Sequence, residues 1–115
     1  MKNPSISVTI LANSAQNIRL LVQGQLIMKN APLVKKELIN ALNSSENIAL
    51  VLKNIVKADL GVLQLLIGLQ KSAALLGKTL TLDIELTHNI HSVILSSGLE
   101  KILIPNSKLQ LNGIY

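Results

Sequence analysis

At 115 residues and 49% apolar composition, the chain has enough material for one packed core, and a single domain spanning residues 1–115 is expected. It has no cysteine, which excludes a disulfide framework and a thiolate metal site, and Tyr115 is its one aromatic residue, so the core must be built from Leu, Ile, Val and Ala. The formal charge of +5 is spread along the chain: Lys35–Lys36 is the only adjacent basic pair, Arg19 is the only arginine, and no aromatic stands beside them to stack a base, so nucleic-acid binding is not expected.

The residues after Lys2 show no long apolar core or small-residue cleavage site, so a secretory leader is not expected. The longest apolar run, Leu60–Leu69, is interrupted by Gly61, Gln64 and Gly68 and is too short to span a bilayer. A cytoplasmic protein with no direct membrane insertion is the resulting expectation.

In chain order, Ser5–Ile10 alternates strictly between polar and apolar, the pattern of a strand with one buried face. Beyond the break at Asn13–Ser14, Ile18, Leu20 and Val22 again share one face, and the two runs predict a hairpin whose second strand ends at Gly24-Gln25-Leu26. Asn30 ahead of Ala31-Pro32 reads as a capped helix start, and Val34, Leu38, Ala41 and Leu42 form an apolar stripe at helical spacing. Ile48–Leu52 is a nearly continuous apolar run, as in a strand covered on both faces.

Asp59 to Gly77 reads as the central helix, with Asp59 as its cap and Gly77 as its stop. Its expected core positions are Val62, Leu63, Leu66, Leu69, Ala73 and Leu76, which leaves Gly61, Gln64, Gly68, Lys71 and Ser72 on another face. Lys78–Ile84 alternates as a further strand, and Thr87 starts a third helix that runs to Gly98. Ile102–Ile104 reads as a strand stopped by Pro105, with a short edge segment from Leu109 to Tyr115. The expected fold is therefore α/β, in the order ββαβαβαβ, with a mixed sheet that opens on an antiparallel hairpin.

The sequence offers few patterns that would carry chemistry. The six acidic residues show no spacing that proposes a carboxylate pair, and the glycines match neither the dinucleotide nor the P-loop pattern. No serine stands in a Gly-x-Ser-x-Gly elbow. Glu85, His88 and His91 have the spacing of a metal triplet, but both histidines equally fit a polar helix face beside Asn89 and Ser92. No enzyme, no metal and no cofactor are expected.

Three stretches carry a resemblance: Gly24-Gln25-Leu26 at a strand end, Asp59-Leu60-Gly61-Val62-Leu63-Gln64-Leu65-Leu66 followed by Gly77-Lys78-Thr79-Leu80, and Val93 to Leu103 with its Ser97-Gly98-Leu99 ending. In this order they resemble a STAS domain, the fold of anti-sigma factor antagonists and of the cytoplasmic tail of sulfate transporters. The resemblance implies partner switching in transcription control. Such a domain docks on a kinase-like anti-sigma factor or a scaffold, and phosphorylation of the hydroxyl residue just after the aspartate ends the interaction.

This chain departs from that pattern where the switch would be. Leu60 and Gly61 follow Asp59, and neither has a hydroxyl; Val62 holds the family's glycine position, and Ile27 and Lys53 replace acidic residues common in the family. The expected docking set is Gly24, Gln25, Leu26, Asp59, Leu60, Gly61, Gln64 and Gly68. Leu60 fits either the edge of the core or an exposed contact. Glycine inside a helix costs roughly 0.5–1 kcal/mol against alanine, so Gly61 and Gly68 call for a close neighbour, either the chain's own or a partner's. A STAS-type accessory subunit of a membrane transporter complex is the alternative reading, and a small-molecule or lipid-binding module is a third. A homodimer is left open.

Overall fold

A computed structural model of the chain describes residues 5–14, 16–86, 88–98 and 107–111. The first alternating runs form strands β1 (Ile6–Asn13) and β2 (Asn17–Leu26), paired antiparallel with Ile6 opposite Gly24 and Ile10 opposite Leu20. A 3-10 turn, Met28–Asn30, leads into α1 (Ala31–Ser44). Then come β3 (Asn47–Ala58), α2 (Leu60–Leu75), β4 (Thr79–Leu86), α3 (His88–Ser97) and β5 (Ser107–Leu111). The five strands lie in the order β1-β2-β3-β4-β5, and β2 to β5 run parallel.

Each crossover steps to the next strand in the same direction, so right-handed connections put α1, α2 and α3 on one face of the sheet. The strand residues under the helices form aligned rows: Leu20 faces Leu50, which faces Leu82, and Val22, Leu52 and Ile84 repeat the pattern. All six are at most 2% exposed, and they pack with Leu38, Val62, Leu63, Leu66, Ile90 and Ile94 from the helices. Aliphatic rows of this kind interlock without any aromatic ring.

The structure refines one sequence expectation and changes two. The Ile48–Leu52 run is covered on both faces, as expected, but by different means: Ile48, Leu50 and Leu52 lie beneath the helices. Val51 is buried on the helix-free face, in a hollow of about 250 Å³ that it shares with Leu11, Arg19, Leu21, Lys53, Asp83 and Glu85. Long side chains from neighbouring strands thus do the covering. Arg19 pairs there with the buried Asp83 at 3.5 Å, and the second carboxylate oxygen, Oδ1, has no hydrogen-bond partner among the described residues. Asp83 and Glu85 share this hollow because they stand two apart on one strand, a proximity that the search for a carboxylate pair passed over.

Of the changes, the first is that Asn30 does not cap α1. Its amide Nδ2 donates to Ser5 Oγ at 2.8 Å and to the Gln25 carbonyl at 2.7 Å, tying the helix entry to the hairpin. Secondly, Leu76 is 72% exposed because α2 stops at Leu75, while Leu69 is half-buried against the core, as expected, and Ile67 joins it. The stop itself is as expected: Gly77, at φ +76°, donates to the Ala74 carbonyl, and Lys78 donates to that of Ala73, a Schellman closure. The strand expected at Ile102–Ile104 and the cap expected at Thr87 lie outside the described residues, and β5 begins at Ser107.

Burial sets a contrast along α2. Leu66→Ala should lower unfolding stability by about 2–5 kcal/mol in a denaturant titration, while Leu75→Ala, at an 89% exposed position, should stay within about 0.5 kcal/mol of the parent.

Candidate functional site

The end of β2 and the start of α2 meet because β3 is longer than its aliphatic run. Leu52 pairs with Val22 and Ile55 with Gly24, so Lys53 and Asn54 together face the single residue Gln23. That is a bulge. Asn54 takes φ +52°, a conformation asparagine tolerates, and its amide donates to Gln23 Oε1 at 2.8 Å. A second irregularity at Val56 lets Lys57 pair with Gln25 and Ala58 with Leu26. The strand then delivers Asp59, whose N–H donates to the Leu26 carbonyl at 2.9 Å.

Asp59 occupies the N-cap position with extended backbone, as expected, but its carboxylate makes no bond to its own helix. Oδ2 instead accepts the Met28 N–H at 3.0 Å, while the Asp59 carbonyl takes the N–H groups of Val62 and Leu63. The expected local cap is therefore a long-range tie between α2 and the turn after β2. It succeeds because Met28 N–H comes within reach where the bulged strand ends.

Of the expected docking residues, the structure brings Gly24, Gln25, Leu26, Asp59, Leu60 and Gly61 to this one corner, and Gln64 and Gly68 continue from it along the exposed face of α2. Their individual situations differ. Leu26 is fully buried, so its side chain belongs to the core and only its carbonyl serves the corner. Gly24 has φ +110°, and a Cβ there would lie 2.4 Å from the Ser5 carbonyl oxygen, so the crossing of β1 over β2 requires a glycine. Leu60 is 39% exposed at the first turn of α2, on the open side of the two readings left for it.

Sequence reasoning missed Met28. It is 58% exposed, and its Sδ would lie 3.0 Å from a Cβ at position 61. The close neighbour called for by Gly61 is thus this thioether, and Met28 and Leu60 are each exposed apolar residues next to Asp59, one through its N–H bond to the carboxylate and the other in sequence. A methionine after a strand carries no motif, and only the fold sets it over Gly61. Gly68 has no neighbour: nothing lies within 4 Å of where its Cβ would be. Val62 is wholly buried. His91 is half-buried, and no group of three metal-ligating side chains occurs among the described residues. No helix among them is long and apolar enough to cross a membrane.

Two substitutions probe the corner. Asp59→Ala should cost about 1 kcal/mol and speed hydrogen exchange at the Met28 amide, whereas Asp59→Asn, which keeps an acceptor oxygen, should slow that exchange again. Gly24→Ala should cost more, at least about 1–2 kcal/mol in the same denaturation assay, from its backbone conformation and the crowding at Ser5 together.

Neither a family model nor a curated protein sequence matches this chain. Solved structures do. The anti-sigma factor antagonist SpoIIAA in its unphosphorylated form superposes with a TM-score of 0.68 at 11% identity, covering 92% of this chain and 90% of that one. The Bacillus cell fate determinant SpoIIAA in the phosphorylated form gives a TM-score of 0.63, again at 11% identity, over 92% of this chain and 93% of the other. The hairpin, the parallel strands that follow it and the three helices are thus the STAS fold of the anti-sigma factor antagonists.

Proposed function

We propose that this chain is a non-enzymatic, cytoplasmic protein-interaction module of the anti-sigma factor antagonist type that docks its partner on the exposed face of α2 and the adjoining corner. The observation that carries this reading is Gly68. It sits mid-helix with nothing within 4 Å of its missing Cβ, so no contact within the described fold uses the space, although glycine there costs roughly 0.5–1 kcal/mol against alanine. A low surface held at that cost fits a partner backbone lying close. Gly61, Gln64, Met28 and Leu60 extend the same surface towards Asp59.

SpoIIAA is described in both unphosphorylated and phosphorylated forms. A phosphate at a helix start brings close to two negative charges and three acceptor oxygens, enough to reshape a docking surface. Here Leu60 and Gly61 open the helix and Met28 lies over Gly61, so the corresponding surface is apolar and offers no phosphate acceptor. The module is accordingly a docking helix without that switch. The partner class is a kinase-like anti-sigma factor or a scaffold protein.

The test combines stability with capture. Gly68→Ala should raise unfolding stability by about 0.5–1 kcal/mol, and Gly61→Arg and Gly68→Arg should keep the fold but lose the partner recovered from native lysate by the parent chain. Equal recovery by both arginine variants would sink the docking face. With a serine kinase and ATP, no phosphate should map to residues 59–64; labelling at Ser72 would show a displaced switch instead.

A further inference from the structure

We infer that β1 is a homodimerisation edge, at which two copies of this chain join antiparallel about a two-fold axis at Val8 to make one continuous sheet. Among the described residues, β1 stands at the end of the strand order and pairs only with β2. Its outward hydrogen-bonding groups follow from the register. The Gln25 N–H donates to the Ser5 carbonyl, so Ser5 faces Gln25 as a hydrogen-bonded pair, as do Ser7 and Gln23, and Thr9 and Leu21, two and four residues on. The N–H and C=O groups of Ile6, Val8 and Ile10 therefore point away from the sheet.

Proteins usually guard such an edge with lysine, proline or a very short strand. This one is eight residues long and contains no charged residue and no proline; its only interruption is the bulge at Leu11. The uncharged stretch continues from Asn3 to Ile18 in a chain of net charge +5, so two like-charged copies meet with least repulsion here. The other end of the sheet differs, for β5 carries Lys108.

A second copy is the occupant that matches the pattern. Ile6, Val8 and Ile10 are symmetric about Val8, so antiparallel pairing sets Val8 against Val8 and Ile6 against Ile10, with about six backbone hydrogen bonds, two for each facing pair. Ile10, 57% exposed, lies on the same face as buried Ile6, and each copy would set its Ile6 end beside the other's Ile10. The Gly24 corner lies at the Ile6 end of each strand, so the two proposed docking corners fall on opposite sides of the axis.

Analytical ultracentrifugation of the full chain should show a concentration-dependent dimer whose Kd rises by about tenfold or more in Ile10→Lys and in Ile10→Pro. Both changes should leave the circular dichroism of the monomer intact, because the Ile10 N–H faces away from β2 and proline is tolerated at such a place. With no natural cysteine present, Val8→Cys should oxidise readily to a covalent dimer and Ile10→Cys should not. A parent chain that stays monomeric at millimolar concentration, including one that pairs only with a strand of another protein, overturns the inference. So does a dimer whose Kd neither Ile10 variant changes, or an Ile10→Cys chain that cross-links more readily than the Val8→Cys chain.

Discussion

The backbone bond from Asp59 N–H to the Leu26 carbonyl fixes the start of α2 against the end of β2, and the rest of the corner depends on it. It exists because β3 runs past its apolar core run through two irregularities and arrives level with the end of β2. Without the bulge at Lys53–Asn54, each later residue of β3 would meet β2 one position out of phase, and Ile55, now buried, would turn toward the other face. The Asp59 carboxylate then spans the remaining gap to Met28. Strand irregularity, helix start and interstrand turn are thus one mechanical unit.

The glycines divide by what requires them. Gly24 is fixed by backbone conformation and by the Ser5 carbonyl; Gly77 is fixed by the helix stop; Gly61 leaves room for a methionine side chain that could move aside. Gly68 is required by nothing in the described fold. A local cost with no return among the described residues is what the proposed docking face rests on. That imbalance, rather than the likeness to SpoIIAA at 11% identity, is the support for proposing the face of α2.

The two faces of the sheet are solved by different physics. Under the helices, aligned Leu, Ile and Val rows exclude water and supply most of the stabilising burial. On the other face no described helix lies over the strands, and Val51 is sheltered by the arms of Arg19 and its neighbours, with Arg19 held to Asp83. Charge is concentrated on the middle strands there and missing from β1. Among the described residues, β1 is therefore an uncharged edge whose outward backbone groups a further strand could pair.

Much of this was legible in the residues because it depends on period and on local chemistry. Alternation marked β1, β2 and β4, helical spacing marked α1 and α2, and Gly77 marked the helix stop; these signals survive because neighbours in sequence are neighbours in space. The α/β order followed from them, and so did the placing of Gly61, Gln64 and Gly68 on the open face of α2. What the residues could not tell was decided at long range: Asn30 reaching Ser5 and Gln25 rather than capping α1, Asp59 turning to Met28, and Met28 lying over Gly61. An asparagine or aspartate before a helix has the same local signature whichever partner it takes. The choice is made by which backbone groups the packed sheet leaves within about 3 Å, and only the tertiary structure sets that distance.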